Sequence, residues 1–293
     1  MQNWDDMRVF LAVARAESLS GAAPLLKMDP ATLGRRISRL EQAMGATLFV
    51  KSPQGYALTD LGTKIRDQAA DAEASLAQAF DAGQGAETGL SGQIRIGAPD
   101  GVANFLLPQV VAAMQAENPA LEVQILALPR VVNLSRREAD MAVTVSPPAA
   151  GRLTVQKITD YQLHLATRRD APALTKLGDI AGRALVGYIP DMIFDKELDY
   201  LGALGVNGVQ LASNSVAVQL QMLRYGGVGI VHDFALHAAP ELHRILMDQL
   251  SLSRSFYLVR HTSDRHSDRL TRFAADLSKR MKAEVLRLEA PTP

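Results

Sequence analysis

The period of the hydrophobic residues changes once along this chain, and that change limits what the chain can fold into. Residues 1–59 repeat apolar side chains every three to four positions with short breaks. Residues 60–82 do so in one unbroken alanine-rich run. Beyond the glycine-rich stretch at 83–92, short alternating runs trade places with helical ones. A chain of this texture is helical at the front and α/β behind. Its 293 residues suffice for about two domains. No repeat of roughly 20–50 residues recurs, so a solenoid is excluded.

Composition removes several function classes. Thirty-one basic side chains meet thirty-one acidic ones, for a net charge of zero. A uniformly basic nucleic-acid coat is thereby excluded, whereas a local basic face is not. Cysteine is absent, which removes disulfides, thiolate metal sites and cysteine nucleophiles. The six histidines (His164, His232, His237, His243, His261 and His266) form no paired spacing with a nearby glutamate. They read as scattered surface or packed residues. No nucleophile elbow or phosphate-cradling loop with lysine is present. The expectation is therefore no catalytic residue, no metal and no cofactor. No run approaches the ~18 unbroken apolar residues of a membrane span. The acidic start at 1–6 does not read as a signal peptide, and a cytoplasmic protein is expected.

The first helix is marked by Trp4, Met7, Phe10, Leu11 and Ala14. Ser20 is expected to cap a short second helix, and Asp29 before Pro30 opens a third. Gly45 closes the third helix. On it, Leu33, Ile37, Leu40 and Met44 fall within about 60° of one another. Thr32, Arg35, Arg39 and Gln42 take the opposite side, with Arg36 on the flank. Residues 31–51 hold Arg35, Arg36, Arg39 and Lys51 against Glu41 alone. Arginine suits phosphates and guanine edges because its planar fork donates two parallel hydrogen bonds. Alone, such a helix reads as a solvated amphipathic one. Three short helices with tight turns, the third carrying the basic face, read instead as a helix-turn-helix. Strands at 47–51 and 56–58 around a turn at 52–55 would add a wing.

Five stretches resemble, in order and spacing, the N-terminal signature of LysR-type transcriptional regulators. They are 10–14, 18–26, 37–41, 44–49 and 58–62, which read FLAVA, SLSGAAPLL, ISRLE, MGATLF and LTDLG. The resemblance implies DNA contacts at Pro30, Ala31, Thr32, Arg35 and Arg36, a wing contact at Lys51 and a backbone-phosphate contact at Ser20. Arg39 joins them from the face analysis. Three positions depart from the family's usual residues: Gly34 replaces a serine, Pro30 a small polar residue or glutamine, and Lys51 an arginine. The departures bear on which DNA sequence is preferred. Leu61, Ile65, Ala69, Ala72, Leu76 and Phe80 make a narrow apolar seam. The resemblance implies a dimerising linker helix there, although a helix packed on its own domain would show the same spacing.

The remainder alternates strands and helices. Strands are expected at 93–97, 121–125, 140–145, 161–167, 184–189, 209–212 and 228–231. Helices are expected at 106–117, 131–138, 192–204, 216–225 and 267–288. The order implies parallel sheet. The whole reads as two α/β subdomains similar to periplasmic-type solute-binding domains, with residues 138–143 and 225–230 resembling family motifs. The expected boundaries are a winged helix-turn-helix at 1–59, a linker helix at 60–88 and an effector-binding unit at 89–293. That unit divides into 92–160 with 264–293, and 161–263. Ligands of such sheets sit beyond the carboxyl ends of strands. The expected effector residues are Pro99, Asp100, Gly101, Arg130, Thr144, Ser146, Pro190, Ser213 and Asn214. Asp100 also reads as a helix N-cap, and it would repel an anionic effector unless Arg130 offset it. The basic stretch 254–282 carries eight Lys/Arg against three acids and reads as a solvated face.

The expected function is a regulator that binds a pseudo-palindromic operator in double-stranded DNA as a homodimer or homotetramer. A small molecule in the C-terminal cleft would alter subdomain closure, DNA bending or contact with RNA polymerase. The alternative is a small-molecule-binding protein with a weak or vestigial DNA head, motivated by Gly34, Pro30 and the zero net charge. An enzyme built on the α/β unit is the remotest reading.

Overall fold

The computed structural model describes residues 4–52, 55–83, 89–127, 134, 138–204 and 208–290. Arg130 and the helix expected at 131–138, apart from Leu134 and Glu138, lie outside this set, as does the wing's Pro53-Gln54 tip. Two compact units are present, one built on residues 1–87 and the other on 88–134, 138–262 and 268–293.

In the first unit, α1 (Trp4–Ala16), α2 (Leu19–Leu26) and α3 (Pro30–Met44) precede a two-stranded hairpin and a long helix. The hairpin pairs β1 (Phe49–Ser52) with β2 (Gly55–Leu58), antiparallel. The helix α4 runs Asp60–Gly83. Phe10, Leu11, Leu33, Ile37 and Leu48 are completely buried and form one core. Phe10 meets Phe49 at 5.2 Å between ring centroids, and Phe49 meets Tyr56 edge-on at 5.5 Å. These contacts fix the hairpin beside the helices. Ser18, rather than Ser20, caps α2: its hydroxyl accepts from Gly21 N at 3.0 Å. Ser18 has the extended backbone a cap needs, whereas Ser20 already lies inside the helix. Gly62 closes the junction. A Cβ there would stand 2.1 Å from Leu48 O, so α4 can start this near the hairpin only on glycine.

The second unit is one nine-stranded mixed sheet in the order β4-β3-β5-β11-β6-β9-β7-β8, with β10 on β6. One half holds β3 (Gly92–Ala98), α5 (Asp100–Phe105), α6 (Leu107–Glu117), β4 (Leu121–Ala127) and β5 (Met141–Thr144). The other holds β7 (Leu185–Gly187), α7 (Leu201–Leu204), β8 (Leu211–Ala212), α8 (Val216–Tyr225), β9 (Val228–His232) and β10 (Leu242–Ile245). Within each half the expected parallel pairs are present. Two long antiparallel strands, β6 (Leu153–Arg168) and β11 (Ser251–His261), belong to both.

This extends the expected strand at 161–167 into one of 16 residues, so that the expected boundary at residue 160 falls inside a strand shared by both halves. β10 and β11 were not anticipated. Arg254 and Arg260 mask an alternation in which Phe256 and Leu258 are buried. The expected helix at 106–117 begins one residue later, because Leu106 separates α5 from α6 and Pro108 has no N–H to continue across. The expected helix at 192–204 breaks into the 3₁₀ turns Pro190–Met192 and Lys196–Leu198 followed by the single turn α7. Asp195 causes one break, since its carboxylate accepts from Glu197 N at 3.0 Å and starts a new turn. The last helix, α9 (Asp268–Glu289), serves both halves. Arg280 pairs with Glu117 of α6, and near its end Glu289 accepts from Gln162 N at 2.9 Å.

Candidate functional site

The third helix owes its orientation to its two sides. Leu33 and Ile37 are completely buried and Leu40 nearly so, whereas Pro30, Ala31 and Arg35 are exposed. Asp29 accepts from Thr32 N at 2.8 Å and caps the first turn, and this hydrogen bonding, led by Thr32, holds its carboxyl below the usual range. Arg35 Nη2 donates to Thr32 Oγ1 at 2.7 Å. Arg35 makes no ion pair among the described residues, so its fork stays available beside the exposed start of the helix. Lys51 is exposed on β1, with its ammonium 5.8 Å from the Tyr56 ring centroid. That contact with the facing residue of β2 steadies the lysine stem. Ser20 is exposed on α2. Glu41, the acid of this stretch, turns inward: its Oε1 accepts from Leu48 N at 2.7 Å and Phe49 N at 3.2 Å, tying α3 to the hairpin.

Arg39 differs from the sequence reading. Its Nε donates to Asp6 Oδ2 at 2.6 Å and its Nη2 to Asp6 Oδ1. Asp6 is buried, and Arg36 Nη1 lies 3.6 Å from the same carboxylate. A buried carboxylate needs a counter-charge, and the third helix is the nearest supplier. Arg39 thus spends two of its donors inside the fold while remaining partly exposed, and Arg36 is partly drawn in.

The apolar seam of α4 also divides. Ala69 is buried and Ile65 packs against the core of the first unit. Leu61, Ala72 and Leu76 are exposed, and the side chain of Phe80 lies outside the described set. Arg15 pairs with Glu73, binding α1 to α4.

In the second unit, the expected effector residues gather partly at the facing starts of α5 and α8. Pro99 occupies the N-cap position of α5 without a side-chain bond, and Asp100 is its first helical residue. The Asp100 carboxylate reaches the other half: Oδ2 accepts from Ser215 Oγ at 2.9 Å and from Ala217 N at 3.0 Å. It therefore serves the exposed N–H groups of α8, the helix across the cleft. A Cβ on Gly101 would touch Val216 at 3.4 Å, so the two helix starts are in contact. Ser213, buried, accepts from Ser215 N at 3.1 Å, and Asn214 stands between them in the chain. Ser146 Oγ donates to Asp195, a second tie between halves, while Thr144 Oγ1 donates to Ser146 O at 2.8 Å. Pro190 begins an exposed 3₁₀ turn. The sequence reading missed Ser215 and Asp195. Ser215 could have been seen as a cap before the 216–225 helix, whereas nothing local marks Asp195.

Residues 4–63 match the family described as bacterial regulatory helix-turn-helix protein, lysR family, and residues 87–282 match the LysR substrate binding domain. Among relatives, the Mau operon transcriptional activator of Paracoccus denitrificans is 26% identical over 169 residues, covering 58% of this chain and 59% of that protein. The match thus spans about three-fifths of that activator. The HTH-type transcriptional regulator PtxR of Pseudomonas aeruginosa is 25% identical over 241 residues, covering 79% and 77%. Among solved structures, a full-length OxyR variant from Pseudomonas aeruginosa superposes with a TM-score of 0.72 at 16% identity, covering 96% of this chain and 98% of that one. Full-length LysG from Corynebacterium glutamicum, solved with its effector arginine, gives 0.63 at 17%, covering 98% and 99%. With a winged three-helix head that exposes a basic helix, and an α/β unit of two halves later in the chain, the chain belongs to the LysR family of transcriptional regulators.

Proposed function

We propose that this regulator reads a pseudo-palindromic operator through Pro30, Ala31, Thr32, Arg35 and Arg36, with Lys51 and Ser20 on flanking phosphates. The boundaries proposed are 1–59 for the head, 60–88 for the linker helix and 89–293 for the effector unit. One observation carries the reading: Arg35 is exposed and makes no ion pair among the described residues, on a helix whose opposite side is buried at Leu33, Ile37 and Leu40. Base-reading and phosphate-holding both need such a fork on a rigid element. Arg39 contributes one free edge to the DNA side and otherwise anchors Asp6. A second copy would join through the exposed part of the α4 seam at Leu61, Ala72 and Leu76, because one head reads only a few base pairs and two heads multiply affinity. A chromosomal target supports a cytoplasmic location for the protein. RNA polymerase is the proposed recipient of the signal.

The proposed effector cleft lies between the starts of α5 and α8. There Asp100 occupies the position an anion would take at the α8 N-terminus, which disfavours an anionic effector at that point. Mobility-shift titration against genomic fragments, repeated over a salt series, tests the reading. The expected outcome is specific binding that weakens steeply with salt. Absence of any shift at low salt sinks it.

A further inference from the structure

Three polar side chains follow one another along the start of α3 at a spacing of three: Asp29 and Arg35, exposed, and Thr32, half-buried. They are joined in series. The Asp29 carboxylate accepts from Thr32 N at 2.8 Å and from the Thr32 hydroxyl as well. Arg35 Nη2 in turn donates to Thr32 Oγ1 at 2.7 Å. The hydroxyl sets the direction of this relay, because it has a single proton to give. Asp29 takes that proton, and the Thr32 oxygen accepts from the guanidinium.

The neighbours leave hydrogen-bonded base reading at this end of α3 to the relay. Pro30 and Ala31 are exposed but carry no hydrogen-bonding side chain. Arg39 bonds Asp6, and Arg36 lies 3.6 Å from the same carboxylate. Arg35 is therefore the guanidinium of α3 that makes no ion pair among the described residues. Its one printed partner is the Thr32 hydroxyl.

We propose that Thr32 is a positioning residue, whose hydroxyl, oriented by Asp29, holds the Arg35 fork over the first turn of α3 to read one guanine in each half-site. The inference rests on the operator reading above and refines it, because Thr32 then acts through Arg35 and not on a base. A free arginine side chain samples many rotamers, and ordering it on DNA costs affinity. The tether removes part of that cost before DNA arrives. It also draws the fork toward the N-terminal turn, the part of a recognition helix that meets base edges.

The fork itself selects the base. With one Nη2 proton on Thr32, one edge of the guanidinium keeps its pair of parallel N–H groups. Such a pair matches O6 and N7 of guanine. A phosphate would match it too, but the Asp29 carboxylate beside the relay repels phosphate, which leaves an uncharged base edge the better target. A single solvent-exposed hydrogen bond contributes a modest factor, so removing the tether costs several-fold in affinity and not the whole of binding.

Selection of duplexes from a random-sequence pool by the full chain supplies the probe, and mobility shift then measures the selected site against a scrambled duplex. The selected half-site should hold a guanine whose exchange for adenine weakens the wild type about tenfold or more. Thr32→Val keeps the shape and the Thr32 N bond but removes the hydroxyl. It should weaken the selected site about three- to tenfold, reduce the preference for that guanine by the same factor, and leave the scrambled duplex and the melting temperature unchanged. Thr32→Ala should do the same, and Thr32→Ser should restore wild-type affinity. In an Arg35→Ala background, Thr32→Val should have no further effect, since the two residues act as one unit. Additive losses in that double variant would make Thr32 an independent contact and overturn the inference. So would a loss in Thr32→Ser as large as in Thr32→Val, an equal loss on the scrambled duplex, or unchanged affinity in both Thr32→Val and Thr32→Ala. A pool from which the wild type selects no sequence overturns the operator reading itself, so the two failures are told apart.

Discussion

Asp6 shows how one side chain settles the roles of three others. Its carboxylate, carried on α1, is buried, takes two donors from Arg39 and draws Arg36 to 3.6 Å. Asp6→Ala should therefore destabilise the head by about 1–3 kcal/mol in urea unfolding, since Arg39 is partly exposed and solvent screens part of the loss. Arg35→Ala should leave the unfolding midpoint alone and cost ~1–3 kcal/mol at a specific operator by mobility shift. Similar operator losses for Arg35→Ala and Arg39→Ala would count against this division. Charge at residue scale also sets a pH profile. Glu289 is pushed up to about 7, first by burial and further by the Asp233 carboxylate. Its folded form holds a proton more tightly than the unfolded chain, so its contribution is full below about 4.5 and fades as pH rises through 7. His232 works in the opposite sense: its stabilisation is present above 6.5 and is lost as pH falls toward about 4. Glu289→Gln should flatten the decline in melting temperature between pH 5 and 8, and a wild-type slope in that variant would refute the assignment. The periodic apolar residues and the outward Arg35 were legible in the sequence. The Asp6–Arg39 bond was not, because nothing local relates positions 33 residues apart.

The helices of the head were legible because each carries its own start or stop signal. Asp29-Pro30 and Gly45 act where the sequence places them. Gly34 is the internal weak point of α3. A Cβ there would lie 3.5 Å from Leu19 Cδ1, an ordinary contact, so the site has room. Gly34→Ser should stabilise the head by roughly 0.5 kcal/mol through helix propensity, measured by thermal melting. Gly62→Ala should do the reverse, costing about 1–3 kcal/mol, because its Cβ meets the Leu48 carbonyl backbone and not a movable side chain. The α4 seam was only half legible. Spacing alone does not distinguish a face that packs inward at Ala69 from one left open at Leu76. The strands β10 and β11 were hidden for another reason: their arginines draw the eye to charge before alternation. Segment 190–204 failed as a helix because the Asp195 carboxylate accepts from Glu197 N and starts a new turn, which apolar spacing does not reveal.

At the scale of the molecule, the two halves of the C-terminal unit meet through a few polar ties. Asp100 reaches Ser215 and Ala217, and Ser146 reaches Asp195. Asp100→Ala should loosen this closure, seen as a larger radius of gyration in scattering and faster proteolysis, with secondary structure kept. An unchanged profile would mean that the sheet alone holds the halves. The general layout, with two α/β halves behind a helical head, was legible from the alternation of periods. Which side chains cross between halves was not, since such pairs are set by where strands end in space. The shared strands β6 and β11 carry a genetic consequence. Because the polypeptide travels from one half to the other and back, the second half is one continuous piece of gene set inside the first, which is divided in two. A premature stop anywhere before α9 removes material from both at once. Loss of the first half would therefore need two separate cuts in the gene, whereas the second half could pass as a single insert.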